Sequence, residues 1–214
     1  MNRKANAPSP RTRVRRLPDR AHYTPESVNS IVDDAYICTI AFSWKDSVHA
    51  IATAHWRQEG FLYIHGARAS RMLEALEAGE CCVTVTHLDG LVFARSAFHH
   101  SMNYRSAVIY GRFSAVEGDE KLAALATFID QLAPGRWATL RPASDKEIYA
   151  TRVLRISLSE ASVKIRNWGV KDDEADLPWP VWAGVLPLHL ASGAVQTDPL
   201  SVVGTPPDDI FQEP

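Results

Sequence analysis

The segment of this chain richest in chemical groups is Tyr63-Ile-His-Gly-Ala-Arg-Ala-Ser-Arg-Met72. A strand-like pattern runs into Gly66, a loop of small residues follows, and a helical pattern starts near Ser70. The first turn of a helix has unpaired backbone N–H groups at the positive end of the dipole, and anions bind there. Gly66 and Ala67 let the backbone approach a ligand closely. Ser70 can add a hydroxyl, and Arg68 or Arg71 can clamp a phosphate with paired N–H bonds. The plain alternative is a capped helix that carries surface arginines. Gly-x4-Gly-Lys-Ser/Thr and Gly-x-Gly-x-x-Gly are both absent, so this is neither a P-loop nor a dinucleotide fingerprint.

Other reactive residues are less organised. His99-His100 is a conspicuous pair, but neighbours on a strand point to opposite faces and cannot share one metal. Cys81-Cys82 opens a strand and diverges in the same way. Cys-x2-Cys and His-x3-His spacings are missing, so no metal site is expected. No Ser–His–Asp arrangement with a nucleophile elbow is visible. Chemistry, if any, is expected from a borrowed cofactor.

The elements that must position the anion site read mainly as strands. Thr24-Pro25-Glu26 starts a helix that runs to about residue 34: a capping hydroxyl, a proline at the first position and an acid at the positive end. Tyr36, Cys38, Ile40 and Phe42 then alternate with Ile37, Thr39 and Ala41 in period two. Further strands are predicted over 48–56, 61–65, 81–86, 91–98 and 104–113, with turns at Arg57-Gln-Glu-Gly60 and Asp89-Gly90. Helices are predicted over 70–78, with Gly79 as a left-handed cap, over 119–132 and over 144–149. Two more strands fit 151–158 and 161–167. Six strands before residue 114, mostly joined by short turns, argue for a mainly β fold: a small antiparallel barrel with peripheral helices.

Composition sets the frame. The chain has 214 residues, 46% of them apolar and 22% charged, enough for one domain with its own core. Three cysteines make no disulfide framework, which points to a reducing, cytoplasmic setting. No apolar run approaches the roughly 18 residues of a membrane span, and no secretory leader is evident. The net charge of −2 conceals a split, because residues 1–20 carry +6 and the remainder −8. We read 1–20 as a basic flexible arm with three prolines, 21–190 as a single domain, and 191–214 as a proline-rich tail. A basic arm suggests nucleic acid, but no groove-reading helix, zinc finger or interleaved aromatics accompany it, so that partner is unfavoured.

The order strand, hairpin, strand, His-Gly-x4-Arg and helix resembles the FMN-binding split-barrel superfamily of pyridoxamine 5′-phosphate oxidase. Within it the chain is most similar to flavin-nucleotide-binding proteins related to the nitroimidazole-resistance reductases. Ser96-Ala-Phe-His-His-Ser-Met-Asn-Tyr-Arg-Ser-Ala-Val-Ile-Tyr-Gly111 and Pro180-Val-Trp-Ala-Gly-Val-Leu-Pro187 extend the likeness to about residues 11–190. The resemblance implies a six-stranded antiparallel split β-barrel and a homodimer with FMN at the subunit interface. It implies that Ile51, Ala52 and Thr53 line the flavin with backbone groups, and that Ile64, His65 and Gly66 run beside it. Ser70 and Arg71 match the pair that holds the FMN phosphate in the oxidases. A lysine common at the next position is Met72 here, and Arg68 is the candidate substitute. Arg105 and Ser106 fall where the family places polar flavin contacts, and Trp182 falls near an aromatic that closes the site.

The function so implied is FMN binding, with FMN-dependent oxidation or reduction of an unidentified small molecule. Nitro-compound or quinone reduction with a nicotinamide donor fits better than pyridoxamine-phosphate oxidation, because residues to grip the latter substrate's phosphate are not recognisable. Plain flavin storage is a further variant. Some split-barrel relatives bind haem instead, so the alternative is a haem-binding or haem-degrading protein with His99 or His100 as ligand. A nucleic-acid-associated protein using the basic arm is the third reading.

Overall fold

The computed structural model describes residues 6–206; Arg3 and Lys4 of the arm, and residues 207–214 of the tail, lie outside the described residues. Two sheets, antiparallel at every pairing, enclose the main core. The first contains β1 (Ala21–His22), β2 (Ile37–Trp44), β3 (Ser47–Ala54), β6 (Cys81–Phe93), β7 (Ser101–Gly111) and β10 (Ala161–Arg166), in the order β1-β10-β7-β6-β2-β3. A short β11 (Gly184–Pro187) pairs with the far half of β6. The second contains β4 (Trp56–Gln58), β5 (Phe61–Ala67), β8 (Ser114–Val116) and β9 (Thr151–Ser157), in the order β4-β5-β9-β8. The helices are α1 (Pro25–Asp33), α2 (Arg71–Ala78), α3 (Gly118–Leu132), α4 (Arg136–Thr139) and α5 (Asp145–Ala150). The expected mainly β, antiparallel architecture holds, with more strands than six.

Alternation builds the core. Cys38, Ile40 and Phe42 of β2 turn inward to meet Ile64 of β5, Val83 and Val85 of β6, Ile109 of β7 and Leu154 of β9, all buried. Leu73 and Leu76 of α2 and Ile31 and Val32 of α1 close its sides. A smaller cluster of Trp56, Tyr63, Val116, Ala124 and Val153, with Phe128 against it, sits under α3.

Three local expectations are corrected. Residues 48–56 are two strands in different sheets, because the chain turns inward at His55. There the His55 N–H donates to the Tyr36 carbonyl (3.2 Å) and its Nε2 meets the Val32 carbonyl (3.0 Å). Asp89-Gly90 is not a turn: β6 continues through it with a register shift. A Cβ on Gly90 would stand 3.0 Å from the Leu186 carbonyl oxygen of β11, so glycine admits the crossing strand. The real turn lies over 94–100, which takes His99-His100 off any strand. Gly79 is extended (φ −143°), since the chain passes straight from α2 into β6.

Residues 9–20, expected to be a flexible arm, lie on the barrel instead. Thr12 is buried, and the Arg11 guanidinium bonds Glu80 (2.6 Å) and Glu160 (2.5 Å) while covering the Tyr110 ring. Local acids on the body thus take up part of the +6 charge. The bond from Arg11, helped by Ser9, pulls the Glu160 carboxyl from 4.5 down to about 2. A depressed carboxyl stabilises the fold above its unfolded value, and that contribution drains as the pH falls through the folded one. Glu160→Gln is therefore expected to melt below wild type at neutral pH, with the two curves converging as the pH falls from 4.5 toward 2. A gap independent of pH over that range would count against the clasp.

Among the described residues no helix is long and apolar enough to cross a membrane.

Candidate functional site

The junction of β5 and α2 is built as the sequence suggests. Ser70 is extended (φ −69°, ψ 119°), and its Oγ accepts from the Leu73 N–H at 3.5 Å, which caps α2 and leaves the hydroxyl proton free to donate. Gly66 packs its backbone on the helix: a Cβ there would meet Leu73 Cδ1 at 3.2 Å. Arg68 and Arg71 are exposed, and neither makes an ion pair among the described residues. Two guanidiniums, a hydroxyl and a helix N-terminus thus lie within four residues of chain, the kinds of donor that a phosphate monoester takes.

Beside this cradle runs an open edge. β4 pairs β5 only from Phe61 to Tyr63, so on that side the backbone from Ile64 to Ala67 has no strand partner. The Ile64 side chain is fully buried in the core, which leaves only its backbone to face a ligand. His65 alternates to the other side, 4.9 Å from Phe128 and 5.9 Å from Trp56 between ring centroids. Its Nδ1 is buried without a partner, and burial lowers its pKa, so the imidazole is neutral at physiological pH.

Next to the open edge lies a flat apolar surface. The register puts Ile37, Thr39 and Ala41 of β2 on one face with Ala54, Ala52 and Ala50 of β3. These mostly small side chains face away from the core. β3 is the last strand of its sheet and is largely exposed on both faces, with Val48 81% and Ile51 39% exposed. Ala52 lies on the outer face; Ile51 and Thr53 lie on the opposite one.

The other expected contacts lie elsewhere in the subunit. β7, which carries Arg105 and Ser106, is three strands from β3, or about 14 Å at ordinary strand spacing. Ser106 faces outward, paired with Thr86. The Arg105 guanidinium is held by Asp89 (3.1 Å) and Asp34 (2.5 Å) on the α1 side. Trp182 is 67% exposed and lies 5.8 Å from Phe93; a Cβ on Gly184 would stand 2.6 Å from its indole, so that glycine lets the ring fold back. One subunit therefore gathers Ile51–Thr53, Ile64–Gly66, Arg68, Ser70 and Arg71, and holds Arg105, Ser106 and Trp182 apart from them.

Around Trp182 is a second arrangement that the strand-based reading of His99-His100 missed. His100 Nδ1 meets the Ser96 carbonyl at 3.0 Å, which makes it the protonated nitrogen and leaves the Nε2 lone pair unused. Its ring edges Phe93 at 6.0 Å, and Met102 and Leu186 nearby are each half exposed. His99 turns instead toward the buried Asp172, which is clamped by Arg95 at 2.8 Å. His99, Asp173 and Asp176 bring ligand-type atoms within 4.8 Å of one another. Because the chain turns here instead of running on as a strand, these two adjacent residues enter different surroundings.

An antiparallel barrel split into two sheets, with an anion cradle at a strand–helix junction beside an open edge, is the split-barrel class. The family model described as pyridoxamine 5′-phosphate oxidase matches residues 24–165, and the chain belongs to that family. Among solved structures it is similar to the flavocytochrome Anf3 from Azotobacter vinelandii, with 38% identity over 96% of this chain and 97% of that one and a TM-score of 0.92. It is similar too to the FAD and haem binding protein of Mycobacterium smegmatis, with 34% identity, 89% and 95% coverage and a TM-score of 0.85. A 5-nitroimidazole antibiotic resistance protein homologue from Bacteroides thetaiotaomicron shares the fold at 18% identity, 68% and 86% coverage and a TM-score of 0.57. No curated protein matches the chain.

Proposed function

We propose that this protein is a flavin- and haem-binding oxidoreductase, assembled as a homodimer with the flavin at the subunit interface. The observation that carries the flavin is the cradle of Arg68, Ser70 and Arg71 beside the open backbone of Ile64–Ala67. A bound flavin supplies reversible uptake of an electron pair, and a haem accepts electrons singly. The chain's own residues bind and orient. Ser70, Arg71 and Arg68 hold the phosphate, the backbone of Ile64–Gly66 offers hydrogen bonds to the ring side, and the neutral His65 places no charge near it.

Dimerisation is supported by the bare β3 edge and the flat outer face of β2 and β3. An unprotected apolar edge strand is a liability unless something covers it. In this proposal the partner supplies the Ser106 and Trp182 that one subunit holds apart from the cradle.

Haem enters the proposal because two relatives at 38% and 34% identity, over nearly the whole chain, are a flavocytochrome and a FAD and haem binding protein. His100 is our candidate iron ligand. Its Nδ1 is engaged by the Ser96 carbonyl, the kind of hydrogen bond that orients a metal-binding histidine and fixes its tautomer. Phe93, Trp182, Met102 and Leu186 offer the apolar contact a porphyrin face needs. The purified protein is expected to show flavin bands together with a Soret band, and His100→Ala should lose or shift the Soret band with the flavin bands intact. A colourless protein whose melting temperature responds to neither flavin nor haem would sink the proposal. A Soret band unaltered in the variant would move the ligand elsewhere.

A further inference from the structure

We infer that Tyr149 and Arg68 form a platform for the adenine end of FAD, so that the cradle selects the dinucleotide over FMN. The inference rests on the flavin reading above and goes beyond it by naming which flavin the site takes and which residues decide.

The Arg68 guanidinium lies over the Tyr149 ring, 4.5 Å from its centroid, yet the ring remains 67% exposed. An exposed tyrosine on an ordinary surface turns freely, but this one stands on pinned backbone. The Ile148 carbonyl just before it accepts from Lys121 Nζ at 2.7 Å, and that lysine is itself buried. The Ala150 carbonyl just after it accepts from the Arg68 N–H at 2.7 Å. The following residue, Thr151, begins β9 opposite Ala67. Upstream, α5 is closed by a capping box between Ser144 and Glu147, and Arg141 grips the same glutamate at 2.5 Å. An exposed aromatic fixed at both flanks needs little further ordering to take a ligand.

Its place gives the ligand's chemistry. Arg68 is two residues from Ser70, so the platform begins where a flavin mononucleotide held at the α2 N-terminus would end. What continues beyond that phosphate in FAD is a second phosphate, a ribose and adenine. The second phosphate, next to the one that Ser70 and Arg71 hold, shares the charge of Arg68, which makes no ion pair among the described residues. The base, a flat π system, meets a stacked guanidinium and phenol, surfaces on which bases stack.

The test uses the full chain stripped of flavin, titrated separately with FMN and with FAD and followed by flavin fluorescence. Wild type is expected to bind FAD at least about tenfold more tightly than FMN, from the roughly 1–3 kcal/mol that a base–aromatic stack contributes. Tyr149→Ala should weaken FAD by about that factor and leave FMN within twofold, while Tyr149→Phe keeps the preference. Unchanged FMN binding shows in the same experiment that the variant is folded. Equal wild-type affinity for the two flavins, or equal losses for both in Tyr149→Ala, would overturn the platform while leaving the flavin reading in place. Failure of wild type to bind either flavin would instead overturn the flavin reading, and the platform with it.

Discussion

Replacing Ser70 and Arg71 together with alanine is expected to weaken flavin binding by at least about a hundredfold, because each removes a charge-assisted hydrogen bond of roughly 1.5–3 kcal/mol. The two residues separate cleanly by their other duties. Ser70 also caps α2 through the Leu73 N–H, so Ser70→Ala alone should cost about 1 kcal/mol of stability as well as affinity. Arg71 is exposed and in none of the ion pairs given for the described residues, so Arg71→Ala should leave the melting temperature unchanged and still lose about tenfold in affinity. Calorimetric titration beside a melting curve distinguishes the two effects. An unchanged flavin affinity in the double variant would place the phosphate elsewhere.

Trp56→Ala is expected to be the most destabilising single change near the site. The indole is 1% exposed and meets Phe128 at 5.0 Å and Tyr63 at 5.6 Å between centroids. It is the largest side chain of the smaller cluster, and truncating a buried tryptophan costs about 3–5 kcal/mol through lost transfer energy and the cavity left behind. In a chain of this size that lowers the melting temperature by roughly 6–20 °C. The change reaches the site through His65, which packs on the same indole and lies on the open part of β5. Flavin affinity should therefore fall as well, although Trp56 is not placed against the ligand. Trp56→Phe keeps most of the contact and removes an indole N–H that is buried without a partner, so it should recover most of the stability. A melting temperature within a degree or two of wild type for Trp56→Ala would contradict the packing account.

Local signals carried much of the fold. The Thr24-Pro25 start stands as read, and Ser70 and Ser144 cap helices where helices are predicted to begin, because each start is decided within four residues of chain. The alternation in β2 likewise fixed which side chains reach the core. What sequence could not show depends on partners far along the chain. Gly90 reads as a turn until β11, nearly a hundred residues later, crosses beside it. Residues 48–56 read as one strand until the buried His55 bonds the end of α1. The bonds that hold the Arg105 guanidinium, to Asp34 and Asp89, come from residues as far as 71 positions away. Tyr149 gave no signal at all, since only the pairing of β5 with β9 brings it to Arg68.

Charge followed the same logic. The basic arm and the acidic body suggested a nucleic-acid partner, yet Glu80 and Glu160 already hold Arg11 and the Trp168 ring lies against Arg20. Arg68 and Arg71, beside the Ser70 cap, make no ion pair among the described residues, and the proposed anion site is there.

The most direct test of this account is the mass of the intact, non-covalent assembly of the purified protein. The account predicts a dimer that carries one flavin and one haem per chain, with the flavin released as FAD on denaturation. A monomer that holds neither cofactor, before and after incubation with both, would contradict it.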